Sequence, residues 1–243
     1  MKPVPGDFTT LRQLARGMGR SQSHADNLQA FYAPQARHYD RFRERLLHGR
    51  AELVDALRLK PGERVVELGA GTGRVAAYYA DQVPALASLT LVDLCTALLS
   101  QARERTANWP RTQVVQADIT HWQPLQPVDK VYCSYALTMV PDWYLAIDNA
   151  VRMLRPGGLL GVVDFQISRP RAPDGLRQHS ALARWFWRSW FAHDGVMLSG
   201  DHLPYLQSRL ATVSLSELEA PVPWLPGLKA PYYLFVGRKR RED

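Results

Sequence analysis

Arg64 to Arg74 reads RVVELGAGTGR, an apolar run that closes on three glycines at alternate positions. Gly69, Gly71 and Gly73 permit the left-handed torsions of a tight turn and let a ligand approach the backbone closely. A helix starting after the turn would offer unpaired N–H groups to an anionic or polar group. This is the chemistry of a nucleotide-type site. It is not a dinucleotide fingerprint, because G-x-G-x-x-G/A counted from Gly69 places Arg74 at its last position. Further along, Asp93 ends a second apolar run, where a carboxylate can accept both hydroxyls of a ribose. Asp118 ends a third run, with Ile119 beside it. Its carboxylate can accept from an adenine amino group while the isoleucine packs on the ring.

These residues need a scaffold that brings strand ends together. Strands are predicted at Arg64–Leu68, 89–93, 112–116, 130–134 and 159–165. Helices are predicted between them at 73–82, 96–108 and from Pro141 to Leu154, a proline suiting a helix start. Arg155-Pro156-Gly157-Gly158 reads as the turn into the fifth strand. Strands alternating with helices predict a parallel sheet, whose carboxyl edge binds ligands. Residues 26–59 read as mostly helical, ended by Lys60-Pro61-Gly62. The chain therefore divides into an N-terminal tail with cap helices at 1–59 and a nucleotide-binding domain at 60–243, with an aromatic insertion near 170–209.

The 243 residues, 46% of them hydrophobic, suffice for one large α/β domain with a real core. No run of about 18 apolar residues predicts a membrane span, and the first residues lack the apolar run of a signal peptide. Cys95 and Cys133 form neither a disulfide framework nor a metal pattern, which suggests a reducing, cytoplasmic setting. Net charge is +7, and residues 1–60 carry eleven Lys/Arg against six Asp/Glu. Such a surface suits an anionic partner. Without zinc spacing, an RNP-like motif or a long basic run, nucleic acid is not favoured.

The ordered set Glu67-Leu68-Gly69-x-Gly71-x-Gly73, Asp93, Ala117-Asp118 and Leu154-Arg155-Pro156-Gly157-Gly158 resembles the class I S-adenosylmethionine (SAM) methyltransferases across about residues 60–165. That resemblance implies a Rossmann-like, mostly parallel seven-stranded sheet flanked by helices, with the last strand antiparallel. It implies SAM as cofactor, held by Glu67, Gly69, Ala70, Gly71, Asp93, Leu94, Asp118, Ile119 and Ser134. ARHYDRFRERLLHGR, at 36–50, has the look of the cap helix of lipid and quinone methyltransferases. On that likeness Tyr39 or Arg50 is expected near the SAM carboxylate. Outside this frame, FYAPQARHYDRFRERLLHGR, SYALTMVPDW, HDGVMLSGDHLPYLQSR and VPWLPGLKAPYYLFVGRK resemble the diacylglycerylhomoserine N-methyltransferases of betaine-lipid synthesis over about residues 30–240. That family implies three methylations of a homoserine-headed lipid and pairing with the enzyme that supplies it. The lipid would be met at the inner face of the cytoplasmic membrane, reached peripherally through the basic N-terminal part and the aromatic helix at 185–191.

An amine must be unprotonated to attack a methyl group, so the site needs a proton acceptor or a desolvating pocket. Asp164, at the end of strand five, and His202 are the candidate acceptors. For Asp164 a cap or an ion pair to Arg169 competes with that role; for His202 a surface turn does. Each added methyl makes the product more cation-like, which aromatic faces retain. Tyr32, Tyr39, Tyr135, Trp185 and Trp190 are candidate walls, with Tyr135 nearest the reacting methyl. Other acceptors that fit the same domain are phosphatidylethanolamine and a quinone-ring carbon. A non-catalytic SAM-binding partner protein is the reading from a different class.

Overall fold

The computed structural model describes Asp26, Gln29, Ala30, Tyr32 and residues 44–241 apart from 193, 194, 224 and 226. Seven strands, β1 (Arg64–Leu68), β2 (Ser88–Asp93), β3 (Thr112–Gln116), β4 (Val128–Ser134), β5 (Leu154–Phe165), β6 (Ala211–Pro221) and β7 (Lys229–Arg238), form one sheet in the order 3-2-1-4-5-7-6. β1 to β5 pair in parallel, and β7 runs antiparallel to both β5 and β6. This is the mostly parallel Rossmann-like architecture expected, with β7 as its antiparallel strand.

The central strands are buried on both faces, and their alternation sorts side chains into two cores. Val65, Tyr132, Val163 and Leu234 pack on one face; Val66, Val131, Cys133, Val162 and Phe235 pack on the other. Of the helices, α1 (Arg50–Leu57), α2 (Thr96–Thr106) and α4 (Ala181–Ala192) contribute to the first core. α3 (Trp143–Met153) and α5 (His202–Arg209) contribute to the second. The order of β1 relative to β2 and β4 reverses the winding there, which leaves a crevice beyond the carboxyl ends of those strands.

Three expected elements differ. The helix expected at 73–82 is a run of tight turns with two short 3₁₀ segments, Ala76–Tyr79 and Val83–Ala85. Bonds from Tyr78 N–H to Val75 O and from Gln82 N–H to Tyr79 O span three residues rather than four, and Pro84 offers no N–H to extend them. The glycine turn therefore does not feed an α-helix N-terminus. The Pro-Gly-Gly turn lies inside β5, as an irregularity between the pairs Val128↔Leu154 and Lys130↔Leu159. Finally, the helical stretch before β1 is interrupted at Gly49. Its φ of 80° is left-handed, and a Cβ there would meet the Tyr232 ring at 2.8 Å. The close approach of Gly49 to β7 fixes where α1 starts.

Candidate active site

The crevice is a cleft of about 250 Å³ lined by the ends of β1, β2 and β4, the residues after β3, and the segment before α1. Every expected cofactor residue within the described part of the chain lines it: Arg50, Glu67, Gly69, Ala70, Gly71, Asp93, Leu94, Asp118, Ile119 and Ser134. Tyr39 lies outside the described residues.

The glycine turn is held from within the protein. Gly69 has φ of 72°, and a Cβ there would stand 2.3 Å from that of Ala136, so β1 and the β4 turn approach as only glycine allows. Gly69 and Ala70 donate to the Val92 carbonyl at 2.8 and 3.0 Å. The Asp93 carboxylate accepts from the Gly71 N–H through Oδ2 and from the Cys95 N–H through Oδ1, both at 2.8 Å. Each oxygen keeps a lone pair that a ribose hydroxyl can use. Asp118 repeats the local half of this pattern: Oδ1 accepts from the Thr120 N–H at 2.8 Å and the Thr120 hydroxyl at 2.7 Å. Two strand-end aspartates thus bond the backbone two residues on, and both face the cleft.

Glu67 lies buried at the floor. It accepts from the Tyr132 hydroxyl at 2.9 Å, and Tyr132 and Tyr79 share a bond of 2.8 Å. Burial pushes its pKa up to about 8, against the lowering effects of Tyr132 and Arg50. Arg50, also buried, donates through Nε to the Leu47 carbonyl, while its Nη2 has no partner. The Ser134 hydroxyl is likewise unpartnered. Buried polar atoms without partners are costly, and both belong to residues lining the cleft. The donor set suits SAM. Arg50 fits a carboxylate, Glu67 an ammonium group, Asp93 a ribose, and Asp118 with Ile119 an adenine.

Tyr135 follows β4 in a left-handed conformation, φ 53°, uncommon for a bulky residue. Both its ends are anchored. Its N–H donates to the Val163 carbonyl at 2.8 Å, and its hydroxyl to the His48 carbonyl at 2.7 Å. With the hydroxyl engaged, the residue offers the cleft its ring. Met139, Val140 and Pro141 extend this apolar side, with the exposed Asp142 at its edge, and Tyr32 lines the cleft from its cluster with Cys95 and Leu98.

The expected proton acceptors are placed elsewhere. Asp164 is fully buried and does not line the cleft. It accepts from the Thr138 hydroxyl at 2.7 Å, the Thr138 N–H at 3.2 Å and the Phe165 N–H at 2.8 Å. Burial raises its pKa to about 7. Its place at the end of β5 points it at the turn Leu137–Met139, so it positions that turn. Arg169 pairs instead with Asp201, at 2.5 Å. His202 is not a surface residue: it sits under Trp143 and Tyr233, and burial lowers its pKa to about 4. It too is absent from the cleft wall. Trp185 and Trp190 also do not line the cleft; both are exposed. Thr72, Thr120, Tyr132 and Thr138 carry no mark in the sequence. Thr138 lies within SYALTMVPDW, but nothing in that string marks it as the partner of Asp164.

Residues 65–158 match the family model for a methyltransferase domain. Residues 65–158 thus carry the methyltransferase-domain signature, and the donor set of the cleft suits SAM as its cofactor. Trans-aconitate 2-methyltransferase of Escherichia coli is 35% identical over 111 residues, which are 46% of this chain and 42% of that protein. The chain thus spans less than half the length of the curated relatives it matches. The structure resembles N-methyltransferase NodS from Bradyrhizobium japonicum WM9 in complex with S-adenosyl-L-homocysteine, with a TM-score of 0.60 and 19% identity. That likeness covers 95% of this chain and 98% of NodS. It also resembles Haemonchus contortus Phospholethanolamine N-methyltransferase 2 in complex with phosphomonomethylethanolamine and S-adenosylhomocysteine. There the TM-score is 0.67 and the identity 12%, over 90% of this chain and 61% of that one. At these identities the structural likeness establishes a shared fold.

Proposed function

We propose that the protein is a SAM-dependent N-methyltransferase acting successively on a lipid-borne amine, with the homoserine amine of diacylglycerylhomoserine as acceptor and the trimethyl betaine lipid as product. The observation that carries this reading is the β4 side of the cleft, where Tyr135 is fixed with its hydroxyl engaged and its ring presented along the wall that Met139 and Val140 continue. Such a wall desolvates an amine, which favours its neutral, attacking form. It also attracts the cation that methylation creates, by about 0.5–2 kcal/mol per ring, without a directional bond that added methyls would break. Bound SAM supplies the electrophilic methyl; the protein's part is chiefly alignment and exclusion of water. Resemblance over residues 30–240 names the homoserine lipid, and two N-methyltransferases share the fold.

The test is mass spectrometry of lipids extracted from a host that makes diacylglycerylhomoserine and expresses this chain. Mono-, di- and trimethyl products are expected. Methylation of phosphatidylethanolamine or a quinone precursor instead would overturn the acceptor. So would methylation of trans-aconitate, the acceptor named for the E. coli relative. SAM binding with no methylated product from any of these would point to a non-catalytic partner protein.

A further inference from the structure

α4 has two faces. Trp187 and Phe191 turn inward, and a file of rings runs from them to the cleft: Phe191 to Phe165 at 4.3 Å, then Phe165 to Tyr135 at 4.7 Å between centroids. Leu182 and Trp185, one turn apart on the other face, are 72% and 66% exposed. Arg188, one further turn on, is exposed beside them. The helix ALARWFWRSWFA contains two arginines and no acidic residue. After it, the Met197 N–H donates to the Thr138 carbonyl at 2.7 Å, which holds an outward, 64% exposed Met197 against the turn that walls the cleft. Large apolar side chains exposed together mark an interaction surface. A tryptophan and a leucine flanked by arginine on one helix face fit the boundary of a bilayer, apolar tips among the acyl chains and cations among the headgroups.

We infer that Leu182, Trp185 and Met197, with Arg188, dock the protein on an anionic bilayer, putting the acceptor side of the cleft next to the leaflet. Charge complementarity favours this occupant over an apolar protein groove, since the helix carries two arginines and no acidic residue, with Arg188 exposed beside the apolar side chains. The inference deepens the lipid-acceptor reading and rests on it. No described helix is long and apolar enough to cross a membrane, so binding through this face would be interfacial.

The full chain is sedimented with vesicles of phosphatidylcholine containing phosphatidylglycerol, and with phosphatidylcholine alone, at low and high salt. Wild type should pellet with the anionic vesicles and be released by salt. L182S/W185S should weaken binding about tenfold or more, and R188E about fivefold. L125S is the control: Leu125 is fully exposed but precedes β4, at the opposite edge of the sheet. Its variant should bind like wild type. SAM affinity, read by calorimetry, should be the same in all four proteins. Vesicle binding unchanged in L182S/W185S, or lost equally in L125S, would overturn the inference. Activity on diacylglycerylhomoserine in detergent micelles separates the two readings. If docking holds, L182S/W185S keeps micellar activity and loses vesicle activity. If wild type binds vesicles yet methylates nothing in micelles, the acceptor reading fails and the docking face stands.

Discussion

The side of the cleft that suits the cofactor and the side proposed for the acceptor are built differently. The first is built from backbone groups and short-range bonds: three left-handed glycines, and two aspartates that each cap the residue two positions on. The second is built by contacts between distant parts of the chain. Tyr135 reaches 87 residues back to His48, Asp164 reaches 26 back to Thr138, and Gly49 seats against Tyr232. A nucleotide-type cofactor presents the same groups whatever is methylated, so a local motif suffices for it. An acceptor pocket has to be shaped by whatever the remaining chain folds against it.

The contrast predicts that a single atom added on the cofactor side does the most harm. Gly69→Ala places a Cβ into Ala136 at 2.3 Å and forces a left-handed alanine. It should cost roughly 2–4 kcal/mol of stability in a denaturant titration, combining overpacking with backbone strain. The double variant with Ala136→Gly should recover the packing part but not the torsional part; full recovery would mean that torsion does not matter there.

Asp93→Ala should weaken SAM binding next most, by roughly 10- to 150-fold for the loss of about 1.5–3 kcal/mol of charge-assisted hydrogen bonds. Because the carboxylate also ties down Gly71, some of the loss should appear as lower stability without ligand. Calorimetry and thermal melts on one preparation separate these. Unchanged affinity in a folded variant would refute the ribose assignment.

Glu67 should make the cofactor side pH-dependent. With its pKa raised from 4.5 to about 8 in the folded protein, the folded state holds a proton that the unfolded chain has released. Stability without ligand should therefore fall as pH rises through that window, and more shallowly in Glu67→Gln. The ammonium group of SAM favours the ionised carboxylate. SAM affinity should accordingly rise toward pH 8, by at most about tenfold per pH unit, and the Gln variant should lose this slope.

The smallest effects belong to the acceptor side. Tyr135→Phe keeps the ring and removes the bond to His48, costing about 0.5–1.5 kcal/mol of stability while SAM affinity stays near wild type. Tyr135→Ala also removes the ring, and should accumulate mono- and dimethyl lipid in the extraction assay. An undiminished trimethyl product from Tyr135→Ala would break the aromatic-retention mechanism and leave the acceptor assignment in place.

Alternation, turn chemistry and spacing within a few residues made the sheet and the cofactor class legible in the sequence, and the residues expected around the cofactor from Glu67 to Ser134 all line the cleft. Arg50 is expected there only through likeness to cap helices, and it too lines the cleft. The tertiary structure decided what becomes of side chains whose partners are remote. Asp164 and His202 have residue types suited to proton transfer, yet the sheet buries one behind Thr138 and the other beneath Trp143 and Tyr233. The rings at 185–191 look alike in sequence, but packing turns Trp187 and Phe191 toward the cleft wall and leaves Trp185 facing out. A side chain's burial and protonation follow from the field and volume of everything folded around it, and those are properties of the whole chain that no local string contains.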